Sequence, residues 1–341
     1  MKAVVYERTG GPEVLRIVER PDPEPGPGEV RVRLARSGVN PTDWKSRTGS
    51  RPGDPAPFGR QVPNQDGAGT IDAVGAGVDP ARIGERVWIW EAAWRRAEGT
   101  AQEAVALPER QAVALPPGAS FDLGASLGIP ALTAHRALTI GTEGPLVLAP
   151  GSMAGQVVLV AGGAGLVGHA AIELARWAGA IVVTTVSSGE KATLARAAGA
   201  HHVVNYRTSD AATEIRKIAP AGVNLVVEVN PIANLALDLA VLGTGGSIAI
   251  YADTGGDTLS VPIRPAMTAN TRFQFVLVYT VSEREKRQAV MDVSAALAAG
   301  ALRIGPAAGL PVHHFAFEET AAAHGALEKG MTGKVLIDIT A

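Results

Sequence analysis

Two rhythms of apolar and polar positions divide the chain. From Met1 to about Leu123, short apolar runs are broken by Pro and Gly: Ala3–Val5, Leu15–Val18, Glu29–Ala35, Gly69–Val74, Arg86–Trp90 and Glu103–Ala106. Runs this short, bounded by turn formers, predict a β-rich domain. Pro21-Asp-Pro-Glu-Pro-Gly-Pro-Gly28 can neither continue a helix nor pair as a central strand, so it reads as a rigid loop between two strands. After about Phe121 the pattern changes. Compact Val/Ile runs at Val157–Ala161, Ile181–Val186, His202–Asn205, Leu225–Val229 and Ser247–Ile250 alternate with helix-length segments at Leu166–Ala178, Glu190–Ala198, Asp210–Ile218 and Ala233–Leu242. Apolar strands separated by helices predict an α/β domain with a doubly wound parallel sheet. Past Thr271 come a strand-like Phe275–Tyr279, a helix Glu283–Ala299 and a closing strand Lys334–Ile339, which is expected to return to the first domain.

One junction between strand and helix carries chemistry. In Val157-Val-Leu-Val-Ala-Gly-Gly-Ala-Gly-Leu-Val-Gly168, the residues Gly163, Gly165 and Gly168 form G-x-G-x-x-G directly after a strand. The first glycine is expected to permit the tight turn, the second to let the backbone approach a pyrophosphate, and the third to let helix and strand pack closely. Leu166 and Val167 then open the helix with free N–H groups for the anion. The next strand should end over the adenosine ribose, where a site for NAD usually places an acid on the 2′-hydroxyl. This chain has Ser187 and Ser188 there, Lys191 one turn onward, and Tyr206 and Arg207 after the following strand. That set suits a 2′-phosphate, so NADPH is the expected cofactor.

Composition removes several alternatives. The chain has no cysteine among its 341 residues, which excludes disulfides, thiol catalysis and thiolate-held metals. The histidines include the adjacent pairs His201-His202 and His313-His314, which on a strand point to opposite faces, and no H-E-x-x-H occurs. With 31 Lys plus Arg against 33 Asp plus Glu, the net charge of −2 gives no reason to bind nucleic acid or an acidic membrane. Met1–Ile17 lacks the apolar stretch of a signal peptide, and no membrane-spanning run follows, so a cytoplasmic protein is expected.

Several separate segments, in order, resemble the quinone oxidoreductase and zeta-crystallin branch of the zinc-free medium-chain dehydrogenase/reductases. They are Gly38-Val-Asn-Pro-Thr-Asp43, Gln65-Asp-Gly-Ala-Gly69, Gly84-Glu-Arg-Val87, Leu127-Gly-Ile-Pro-Ala-Leu-Thr-Ala134, the glycine loop, Ala198-Gly-Ala-His-His-Val-Val-Asn-Tyr206 and Thr332-Gly-Lys-Val-Leu336. The resemblance covers essentially the whole chain. It implies a GroES-like catalytic domain of residues 1–124 completed by 269–341, a Rossmann domain of 125–268, and a cleft between them. It also implies a homodimer paired through the last Rossmann strand, for which Phe273–Tyr279 is the candidate. By the same resemblance Thr133, Asn230, Tyr251, Val278 and Lys334 join the cofactor residues.

Zinc relatives place Cys where this chain has Asn40, and His-Glu where it has Gln65-Asp66, so chemistry without a metal is expected. Reduction of an activated acceptor is then easier than oxidation of an alcohol, because a quinone or enone takes hydride without a Lewis acid. Asn40 and Lys45 are the candidate catalytic residues, one as a hydrogen-bond donor and the other as a cation for a developing oxyanion; Asp43 reads as a cap or turn residue. Trp88-Ile-Trp-Glu-Ala-Ala-Trp94 reads either as an aromatic wall for a flat acceptor or as core packing. The expected activity is an NADPH-dependent quinone reductase. An enone or enoyl-thioester reductase on the same scaffold and a non-catalytic NADPH- or RNA-binding protein are the alternatives.

Overall fold

The strand Glu29–Val39 shows how the first pattern folds: Val30, Val32 and Leu34 alternate with polar residues and are buried, each at most 1% exposed. The computed structural model describes residues 1–141 and 144–339. Its first unit comprises Met1–Ile129 and the chain from Pro311 onward. Here lie β1 (Lys2–Val5), β2 (Arg16–Glu19), β3 (Glu29–Val39), α1 (Pro41–Thr48), β4 (Asp66–Val74), β5 (Arg86–Ile89), β6 (Ala104–Pro108) and β7 (Ala112–Ala114). The Pro-rich segment 21–28 forms neither helix nor strand. Helix α2 (Phe121–Leu138) is broken at Gly128, whose φ of −12° and ψ of −105° are not helical, and the boundary between the units falls after the next residue.

The second unit, Pro130–Leu310, carries β8 (Val157–Ala161), α3 (Leu166–Trp177), β9 (Ile181–Val186), α4 (Gly189–Ala197), β10 (His202–Asn205), α5 (Ala211–Ile218), β11 (Val223–Glu228), α6 (Pro231–Val241), β12 (Leu242–Ile250), α7 (Ile263–Thr268), β13 (Arg272–Phe275) and α8 (Glu283–Ala298). All pairs in its sheet are parallel, in the order β10-β9-β8-β11-β12-β13. The order reverses between β8 and β11, the place where open α/β sheets bind ligands at their strand ends. This is the expected doubly wound α/β sheet.

Two boundaries differ from expectation. The strand expected at Phe275–Tyr279 is instead Arg272–Phe275, followed by a 3-10 turn at Val278–Thr280. Its partner β12 ends at Ile250, opposite Phe275, and after the bond from Val276 N–H to Ile250 C=O no neighbour remains to pair with. Residues 269–310, assigned from the sequence to the other domain, lie in the second unit because β13 joins its sheet. On α8, Asp292 accepts from His135 at 2.7 Å and from Leu148 N–H at 2.8 Å.

The chain closes with β14 (Val312–Ala316), α9 (Thr320–Glu328) and β15 (Lys334–Asp338). β15 pairs antiparallel with β3 and parallel with β14, so the terminal strand does return to the β-rich unit, in a sheet ordered β14-β15-β3-β4-β5-β7 with β6 also on β3. Val335 and Ile337 join Val30, Val32, Ile71, Val87 and Leu107 in its core.

Candidate active site

The glycine loop opens the second unit's candidate cofactor site. Gly162 rather than Gly163 makes the left-handed turn, with φ of 67°. Gly163 is required for a different reason: a Cβ there would lie 2.1 Å from Thr184 Oγ1, which is itself bonded to Val160 C=O. At Gly168 a Cβ would meet Gly162 O at 2.5 Å, so the helix rests directly on the loop. Gly165 has room, with its nearest neighbour at 3.4 Å, and stands at the N-cap of α3, where no side chain caps the helix. The N–H groups of Leu166 and Val167 in the first turn thus lack an intrahelical partner and suit an anion.

Neighbouring strand ends gather the other expected residues. Ser187 and Ser188 follow β9 and are half-buried; Ser188 caps α4 by accepting from Lys191 N–H at 3.2 Å, which commits one hydroxyl lone pair to the helix. Tyr206 N–H bonds Val186 C=O and places that exposed ring at the same edge, with the Arg207 guanidinium 5.7 Å from its centroid. Asn230 caps α6 and Tyr251 follows β12, its N–H bonded to Glu228 C=O. Thr133 and Val278 are both buried, and Val278 lines a cavity of about 330 Å3 together with Leu132 and His135.

In the first unit, a buried polar cluster occupies the segment expected to be catalytic. Asn40 precedes α1, whose first residue, Pro41, is preset for a helix start. Its Nδ2 donates to Asp66 Oδ2 at 2.7 Å, and its Oδ1 accepts from Lys334 Nζ at 3.0 Å. Lys334 Nζ also stands 3.6 Å from Asp66 Oδ2. Asp66 Oδ1 accepts from Ile129 N–H at 2.9 Å, a donor released by the break at Gly128, where a Cβ would sit 1.9 Å from that same oxygen. Asp43 accepts from the backbone N–H groups of Asn40 and Gln65, fixing the turn in the way expected of it.

All four side chains are at most 3% exposed. Burial, then the Asp66 charge, pushes Asp43 up to about 8. Burial also raises Asp66 and lowers Lys334, and in each case the partner's charge offsets part of that shift.

This arrangement redistributes the roles expected from the sequence. Asn40 has both ends of its amide engaged and acts as a linker inside the cluster. Lys334, expected among the cofactor residues, is 0% exposed within it. Lys45 is on α1 and exposed. Trp88 and Trp90 are 0% and 3% exposed, which favours core packing over an aromatic wall for those two, while Trp94 is half-buried under Arg95. Sequence reasoning missed Asp66 as a partner of Asn40, and it missed Glu228 and Asp238 on the second unit. A signal existed for Asp238, a lone acid in the otherwise apolar run Leu235–Val241.

Comparison with known proteins agrees with this architecture. The profile of the alcohol dehydrogenase GroES-like domain matches residues 26–117, and that of the zinc-binding dehydrogenases matches 167–296. The quinone oxidoreductase of Sus scrofa is 30% identical over 343 residues, covering 99% of this chain and 97% of its own. The chain belongs to the quinone oxidoreductase family. As a member it is an oxidoreductase with an NAD(P)-type cofactor. Two solved structures extend the likeness across the fold: an NAD-dependent alcohol dehydrogenase, with TM-score 0.85, 29% identity and 100% of both chains covered, and a mycobacterial protein in complex with NADPH, with TM-score 0.80, 27% identity and 99% of both chains covered. Among the described residues no helix is long and apolar enough to cross a membrane.

Proposed function

We propose that this family member is a zinc-independent NADPH:quinone oxidoreductase that delivers hydride to quinones or related conjugated carbonyls. The observation that carries the reading is the Lys334 ammonium seated against Asn40 and Asp66. The donors at the position of the relatives' metal are two carboxamides and one carboxylate. Asn40 Oδ1 already accepts from Lys334, and Gln65 Oε1 accepts from Ala93 N–H at 3.0 Å. Amide oxygens are poor zinc ligands, and the Lys334 cation against Asn40 Oδ1 and Asp66 Oδ2 opposes a second one there. The residues do not fit zinc.

Bound NADPH supplies the hydride. The loop Gly162–Gly168, including Gly163 and Gly165, with the first turn at Leu166 and Val167, would hold the pyrophosphate. Ser187, Ser188, Lys191 and Tyr206 would hold the 2′-phosphate, since no acid stands at the end of β9 to repel it. Thr133, Asn230, Tyr251 and Val278 would line the path to the nicotinamide. Lys45 is retained as the cation for the developing oxyanion, and Asn40 becomes a positioning residue that holds the 40–45 segment through Asp66 and Lys334. A homodimer belongs to the same proposal, favoured by β13 at the sheet edge with Phe275 64% and Leu277 51% exposed. A monomer at micromolar concentration in sedimentation would remove that part.

The test is NADPH oxidation by EDTA-treated protein over a panel of benzoquinones, naphthoquinones, phenanthrenequinone and enones, with NADH in parallel. Turnover of quinones with NADPH after chelation is the expected result. Turnover of enoyl thioesters alone would reassign the acceptor, and tight NADPH binding with no turnover would favour a non-catalytic role. In the same assay Ser187→Asp should weaken NADPH by about tenfold or more while sparing NADH. Unchanged NADPH affinity would remove the 2′-phosphate from this corner.

A further inference from the structure

The carboxyl end of β11 holds buried acids that hydride transfer does not use. Glu228 is 0% exposed, and its Oε1 accepts from the backbone N–H of Asn230 and, at 2.9 Å, from the side-chain amide of Asn234. Its carboxyl also stands within hydrogen-bonding reach of that of Asp238 on α6, which is 1% exposed. Glu228 Oε2 and Asp238 Oδ2 are buried and meet no N–H or O–H donor, so only a proton on one of the two acids can bridge them. A hydrogen bond between two carboxyls needs a proton. Glu228 already accepts two N–H bonds, which favour its charged form, so the proton belongs to Asp238, and burial followed by the Glu228 charge raises that acid accordingly.

The arrangement sits beside the glycine loop. β11 runs parallel to β8 with Leu225–Val227 alongside Val158–Val160, so the turns after the two strands emerge together. A Cβ on Gly162 would come within 3.3 Å of Val229 Cγ1. A turn between strand and helix has no sheet partner to hold it, and here Glu228 takes the Asn230 N–H while Asn234 and Asp238 hold Glu228 from α6.

We propose that Glu228, Asn234 and Asp238 form a clamp that presses the Val229–Asn230 turn against the glycine loop, making them positioning residues for the dinucleotide. The proposal rests on the glycine loop being the cofactor site. It assigns the clamp to cofactor affinity and leaves the reacting atoms untouched. The substitutions then order by hydrogen bonding rather than by size. Asp238→Ala removes the donor to Glu228 and leaves a buried carboxylate lone pair unmet. Asp238→Asn keeps a neutral N–H donor in its place and needs no proton. Asn234→Ala removes one donor from a half-buried position.

Titrating each purified variant with NADPH by fluorescence, and measuring turnover at saturating NADPH, tests the clamp. Asp238→Ala should weaken NADPH about tenfold, and Asn234→Ala several-fold, with turnover at saturation within about twofold of wild type. Asp238→Asn should restore wild-type affinity. Wild-type affinity in Asn234→Ala, or a loss in Asp238→Asn equal to that in Asp238→Ala, would overturn the clamp, and the Asn234 arm stands even where Asp238→Ala does not fold. A wild-type protein that binds neither NADPH nor NADH would instead remove the cofactor reading, and the clamp with it.

Discussion

Lys334→Met is expected to destabilise the first unit by about 3–5 kcal/mol, the range for removing one partner of a buried ion pair. The methionine fills the space but leaves Asp66 buried against Asn40 without its cation, and Asn40 Oδ1 loses its donor. At about 2–4 °C per kcal/mol, the melting transition should fall by on the order of 10 °C. The pH dependence separates this cause from poor packing. Burial already holds the Asp66 carboxyl above its usual range, and loss of Lys334 raises it further. A carboxyl raised in the folded state contributes stability that is fully present below its unfolded value, about 4, and is lost as pH rises through the folded value. The deficit of Lys334→Met should therefore shrink as pH falls from 8 toward about 5. A deficit equal at every pH, followed by thermal unfolding, would assign Lys334 to packing alone.

Gly163→Ala is expected to weaken NADPH by on the order of 100-fold and to lower the stability of the second unit, because overpacking costs about 1–3 kcal/mol. The new Cβ would fall 2.1 Å from Thr184 Oγ1, on a short branched side chain tied to Val160 C=O, so the loop has to move. Gly165→Ala makes the contrasting case. Its Cβ meets only Gly162 O, at 3.4 Å, yet under the proposed cofactor reading it stands where the pyrophosphate would come close. That variant should lose affinity while keeping its melting temperature. Thr184→Ala in the Gly163→Ala background should recover part of both losses. Paired titration and melting curves check these outcomes, and equal stability losses at the two glycines would sink the distinction between them.

Much of this was readable along the chain. The strands from Val157 to Ile250 carry β-branched runs whose separation by helix-length segments leaves one arrangement, and β8, β9 and β10 have the bounds expected of them. The glycine loop was legible as a motif because it depends on a local turn. The distribution of roles among its glycines was not legible, since the demand on Gly163 comes from Thr184 on another strand. The end of β13 was equally hidden: the apolar run continues to Tyr279, while the pairing stops where β12 stops.

The buried groups mark the limit most clearly. Sequence alone determined the α/β class, the return of the last strand to the first unit and the family, because each rests on local periodicity or on motifs kept in order. Only the tertiary structure decided that Asn40 has no free amide end, that Lys334 belongs to Asp66 rather than to the surface, and that Asp238 faces Glu228. Whether an acid or amine is solvated or paired depends on what the folded chain brings against it. For Asn40 and Lys334 those neighbours lie at opposite ends of the chain, joined by the antiparallel pairing of β3 with β15.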